Sequence, residues 1–153
     1  MTTTSPVTAA DPGAPHLRRL LLIVLILGIL GTGIELVLLG HYEDLSQWVP
    51  IVLLAAGLAA AVAALALPRR GVLLALRAVM AACILGGLLG LWLHYTGNME
   101  FELEMYPDMQ GLALMWATLR GATPALAPGT MVQIGLFGLL ATYRHPGLRR
   151  VAQ

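Results

Sequence analysis

Residues 49–67 run nineteen positions without a charge, and residues 20–39 run twenty with only Glu35. A helix needs about 20 apolar residues to cross the hydrocarbon core of a bilayer. Two more such runs follow at 71–93 and 125–142. A chain with four runs of this length has few soluble solutions. In lipid the backbone must satisfy its own hydrogen bonds, which leaves helices as the spanning element. Composition agrees, with 58% hydrophobic and 11% charged residues, where a soluble domain carries about 25% charged. The sequence therefore predicts an all-α integral membrane protein, with four transmembrane helices packed as a bundle in a domain over 17–145.

The segments between the runs set the topology. Residues 1–16 are rich in Thr, Pro, Ala and Gly without an apolar period, and they predict a disordered tail. Residues 146–153 form a short tail at the other end. Residues 68–70, Pro-Arg-Arg, make a tight basic turn. Arg18, Arg19, Arg69, Arg70, Arg77, Arg144, Arg149 and Arg150 fall on one side of the predicted spans, and the other side has only Arg120 against Glu43, Asp44, Glu100, Glu102, Glu104 and Asp108. Basic residues mark the cytoplasmic side of multi-pass proteins, so both termini are expected in the cytoplasm of a cell in whose inner membrane the chain sits. The first apolar run is longer than a signal-peptide core of about 7–15 residues and is followed by no A-x-A site, which favours an uncleaved first span.

Residues 94–124 form a long outer loop. Leu112, Met115, Trp116 and Leu119 recur at i, i+3, i+4 and i+7, which predicts an amphipathic helix over 107–120 lying in the interface plane. Met99, Phe101, Leu103 and Met105 alternate with Glu100, Glu102 and Glu104, a period of two that suits an extended segment laid on the bundle.

Small residues allow helices to approach closely in lipid. Gly28, Gly31, Thr32 and Glu35 share one face of the first span. Cys83, Gly86, Gly87, Gly90 and His94 share a face of the third, and Gly135, Gly138 and Thr142 one of the fourth. The faces of the first and third spans are expected to turn inward. Glu35 stands sixteen residues above Arg19 and His94 seventeen above Arg77, so both rise roughly 24–26 Å from the inner side. On inward faces at one height, they are expected to meet.

Candidate chemistry gathers at the outer end. Charged groups within a span are costly, and they are paired or line a polar path. Glu35 and His94, with His41, Glu43, Glu100 and Glu102, offer imidazole and carboxylate ligands for a divalent metal ion, and Met99, Met105 and Met109 add thioethers that suit copper. No close-spaced ligand pair such as H-x-x-x-H or C-x-x-C accompanies them. The motif Gly40-His41-Tyr42 at the end of the first span echoes Leu93-His94-Tyr95 at the end of the third. By a straight count His41 stands about 7 Å higher than His94, which keeps the two rings apart.

The chain has no phosphate-cradling glycine loop, no nucleophile–base arrangement with a recognisable context, and no basic aromatic strip for nucleic acid. Its lone Cys83 lies inside an apolar run and forms no internal disulfide. Enzymatic activity is not expected. Two functions fit the rest. One is an accessory or scaffold subunit of a membrane assembly, in contact with the lipid bilayer and with a protein partner or further copies of itself. The other is a cation- or metal-handling membrane protein with a Glu/His site at the outer mouth of the bundle.

Overall fold

The computed structural model describes residues 13–149. The expected N-terminal tail therefore falls mostly outside the described residues, as does Arg150, and residues 13–16 prove to be helical. Five α-helices follow one another: α1 Gly13–Leu38, α2 Leu45–Ala66, α3 Arg70–Met105, α4 Gly111–Leu119 and α5 Gly129–Ala141. A 3-10 turn, Pro146–Leu148, ends the described chain. α1, α2 and α3 are long and apolar enough to cross a membrane, and α5 is a shorter apolar helix.

Prolines decide where the helices stop. A residue before proline is pushed out of the helical region. Leu67, before Pro68, sits at φ −147°, ψ 80°, and α2 ends at Ala66. The next such position is Tyr106, before Pro107, at φ −136°, ψ 78°. Between these two prolines nothing interrupts the ladder, so α3 runs 36 residues, roughly 54 Å. That length corrects the expected extended segment: residues 99–105 are the last turns of α3. Its inner face there is Asn98, Met99, Glu102 and Leu103, a helical spacing, whereas Glu100, Phe101, Glu104 and Met105 are exposed. The period of two was a coincidence of composition. α5 starts at Gly129, four residues later than the expected span, because residues 124–129 wind through turns, with Ala127 N–H donating to Pro124 O (3.0 Å) and Gly129 N–H to Leu126 O (2.9 Å).

Four helices pack in a cycle: α1 on α2, α2 on α3, α3 on α5, and α5 back on α1. α4 packs on α3. Each helix sends one stripe inward, among them Leu22, Leu25 and Ile29 from α1, Leu54 and Ala61 from α2, Leu76 and Met80 from α3, and Met131 and Ile134 from α5. Met80 is at the middle. Gly57 faces its Cε, and Gly138 lies so close to its side chain that a Cβ there would overlap Cγ and Sδ.

The glycine face of α3 turns inward as expected, and so does that of α5. Gly87 meets Pro128 and Val132, Gly90 meets Pro128, and Gly135 meets Ile84 and the Met80 carbonyl. The face on α1 does not. Gly28 and Gly31 have nothing within 4 Å of a built Cβ, and Glu35 is exposed. Leu22, Leu25 and Ile29 provide more apolar area for the same helix to bury, and they take the inward side.

The basic end is drawn together. Arg18 Nη2 donates to Arg144 O at 3.4 Å. Gly147 sits against the Pro68 carbonyl, where a Cβ would come within 2.8 Å. The start of α1, the turn between α2 and α3, and the end of the described chain thus share one end of the bundle.

Candidate functional site at the His41–His94 end

Backbone geometry brings His41 and His94 together. α1 ends in a Schellman motif, in which His41 N–H donates to Leu36 O at 2.9 Å and Gly40 N–H to Val37 O at 3.1 Å. Gly40 takes φ +67°, a left-handed conformation that glycine adopts without Cβ strain. The chain therefore bends back after Leu39, and His41 drops toward the bundle. The 7 Å offset of a straight count disappears. The His41 and His94 rings lie 6.3 Å apart, centroid to centroid, tilted by 47°. His94 Nδ1 is 3.2 Å from Pro124 O. A carbonyl only accepts, so Nδ1 carries the proton and Nε2 is left free in the neutral ring.

Beyond the pair, the loop is fixed by α2. The Gln47 side-chain carbonyl accepts from the backbone N–H of Glu43 (2.8 Å) and of Asp44 (3.3 Å). The Tyr42 and Trp48 rings lie 6.5 Å apart on the same rim, tilted by 55°. The other expected metal ligands are dispersed. Glu35 is exposed on the outward face of α1, Glu43 is exposed in the loop, Glu100 is exposed, and Glu102 is half-buried on α3. Among the described residues no ion pair or hydrogen bond joins Glu35 to His94. Nor, among them, do three or more His, Cys, Asp or Glu side chains gather where they would hold a metal ion. Of the six candidate ligands, only His41 and His94 come together.

Burial, and then the neighbouring His94, lower the pKa of His41 below the ordinary histidine value. A histidine whose folded-state value is depressed is disfavoured as a cation in the native state. Its stabilising contribution is complete above the unfolded value, about 6.5, and falls as pH drops through that value toward the folded one. Acidification from pH 7.5 to 5.5 is therefore expected to loosen residues 39–44 while α3 holds. The opening of that loop, read as amide exchange relative to the intrinsic rate at each pH, should rise several-fold in the native chain and stay flat in His41→Asn. An equal rise in the variant would show that the two rings are not the cause.

The strongest polar constellation at this end is one that ligand arithmetic passes over. Asn98 is 3% exposed. Its Nδ2 donates to Thr118 O (3.0 Å) and Thr123 O (2.7 Å), and its Oδ1 accepts from Thr123 N–H (3.1 Å) and Oγ1 (2.7 Å). A primary amide has two donor hydrogens and two acceptor lone pairs, and all are used. Gly121 leaves the room for it, since a Cβ there would lie 2.7 Å from Asn98 Cγ. Asn98 thereby fixes α4. The end of α4 lies beside residue 98, and its start follows Met105 after only five residues, so α4 runs back antiparallel to the last turns of α3. The two make a short hairpin at the end of the bundle opposite Arg18 and Arg144. α4 turns Leu114, Ala117 and Thr118 toward α3, and its apolar stripe, Leu112, Met115 and Trp116, is exposed. Arg120 lies over the Trp116 ring at 6.0 Å. The available signal was that Asn98 is the chain's only asparagine, set just where hydrophobicity ends.

Comparison with known protein families, with characterised proteins and with solved structures gave no match.

Proposed function

We propose that this chain is an accessory or scaffold subunit of a larger membrane assembly, and that the hairpin of α3 and α4 is its docking surface. One observation carries the reading. The hairpin uses every polar group of Asn98 to hold its shape, yet it keeps Leu112 (78% exposed) and Trp116 (60% exposed) on its outside. Aromatic and methionine side chains held on a rigid support are the usual anchors of a protein interface. Glu100, Glu104 and Asp108 are exposed on the same hairpin, so the matching partner surface is basic at its rim. In this reading α5 is a fourth crossing, made shorter by the turns before it, and the arginine-rich end faces the cytoplasm of the inner membrane. The test is native mass spectrometry of the untagged protein, gently released from its own membrane. A defined complex with another chain, lost in Trp116→Ala plus Leu112→Ser at unchanged expression, is the expected result. A chain that runs with no other protein sinks the proposal.

The ring pair favours a second reading, a cation-handling protein that binds a divalent metal ion or copper through His41 and His94. A discrete metal mass on the native protein, lost in His41→Ala and His94→Ala, supports it. Metal content unchanged in those variants and in Glu35→Gln rejects it.

A further inference from the structure

The outward face of α1 is joined by a second set of polar groups. A groove between α1 and α5 is lined by Val24, Leu25 and Gly28 on one side and by Thr130, Gln133, Ile134 and Phe137 on the other. The two helices are antiparallel: Gly138 of α5 lies against Leu25, whereas Gln133 and Thr130 lie across from Gly28. Thr32 and Glu35 follow Gly28 at i+4 and i+7, so they continue the same face of α1 toward the outer end. A line of small and polar groups thus runs along one seam of an otherwise apolar surface. Thr130, Gln133 and Glu35 are exposed on it. Among the described residues none of their side chains has a hydrogen-bond partner.

An unsatisfied amide facing hydrocarbon is costly. It is relieved by a partner helix that approaches over small residues and hydrogen-bonds across. The chemistry of Gln133 selects the partner. A primary amide both donates and accepts, so it is complementary to itself. Two copies inserted the same way are related by a two-fold axis along the membrane normal, and such an axis keeps every residue at its own height. Gln133 then meets Gln133 and Thr130 meets Thr130, with Gly28 beside them to let the backbones close. We infer that the α1/α5 seam is the contact surface of a parallel homodimer, closed by a reciprocal Gln133 amide pair. This inference is independent of the docking surface proposed on α3 and α4. At the outer end of the seam the two Glu35 carboxylates approach each other, which limits the affinity.

The test is cysteine crosslinking in native membranes, on a Cys83→Ser background. Thr130→Cys and Phe137→Cys report on the seam, and Leu85→Cys and Leu88→Cys report on the exposed side of α3. Dimer crosslinks are expected from the seam pair and not from the α3 pair. Adding Gln133→Leu, which keeps the span apolar and insertable, is expected to reduce the seam crosslink about tenfold, the scale of one or two interhelical hydrogen bonds. Adding Glu35→Gln is expected to increase it, by removing two like charges. Crosslinks of equal yield from both faces, or a seam crosslink insensitive to Gln133→Leu, would overturn the inference. A seam crosslink to a different protein in place of a second copy would overturn it equally.

Discussion

Replacing Asn98 with alanine is expected to free α4 from α3. The side chain makes four hydrogen bonds at a buried site. Each is worth about 1 kcal/mol net, and each buried group left unpaired adds about 1–3 kcal/mol. The local loss is therefore about 3 kcal/mol or more, enough to open the hairpin in a measurable fraction of molecules. Asn98→Asp should do no better. An ionised carboxylate only accepts, so it would face the Thr118 and Thr123 carbonyls with nothing to donate. The check is amide exchange across residues 111–123, together with trypsin cleavage after Arg120. Both should rise strongly in either variant, while amides in the middle of α2 keep their protection. Unchanged protection of α4 would mean that the packing of Leu114, Ala117 and Thr118 alone holds the hairpin.

The second large effect lies at the centre of the bundle. In Gly135→Ala the new Cβ falls 2.5 Å from the Met80 carbonyl oxygen, and closer still to the Ile84 side chain. A side chain can rotate aside, but a helix carbonyl moves only with its helix. The contact between α3 and α5 must open, at about 1–3 kcal/mol or somewhat more for an overpacked core. Gly97→Ala is the matched control, for a Cβ there meets nothing within 4 Å. It should be neutral or stabilising by up to about 1 kcal/mol, since glycine is a poor helix former. Thermal unfolding in a mild detergent separates the two. A marked loss of Tm in Gly135→Ala beside none in Gly97→Ala is expected, and equal Tm values would mean that α5 is not packed as described.

Particular residues show how far the sequence could be read. The three long apolar helices follow from long runs with at most one charge, and lipid leaves no other structure for them. The ends of α2 and α3 were also legible, at Pro68 and Pro107, yet the change from apolar to polar at His94 looked like the end of a helix. Polarity marks where a helix leaves lipid, and proline marks where it stops. The two differ here by about a dozen residues of α3. The glycine face of α1 was misjudged because small residues say that close approach is allowed without saying which neighbour uses it. Gly40 carried the signal for the turn that pairs His41 with His94, since a glycine just after an apolar period is a helix C-cap. Asn98 was beyond reach for a different reason. Three of its four bonds go to backbone groups of Thr118 and Thr123, and a backbone carbonyl or N–H leaves no trace in sequence.

The continuity of α3 has a mechanical consequence. A single hydrogen-bonded rod joins Arg70 to Met105, so the hairpin of α3 and α4 cannot move freely on a tether. Its softest point is near residue 96, where Thr96 Oγ1 donates to the carbonyls of Trp92 (3.0 Å) and Leu93 (3.2 Å) and Gly97 follows. Such back-bonding loosens a helix locally and bends it. From there to Met105 the lever arm is roughly 13 Å, so a bend of about 10° swings the tip by roughly 2 Å. A load applied to the hairpin would reach the bundle as a change of tilt rather than as an unfolding event.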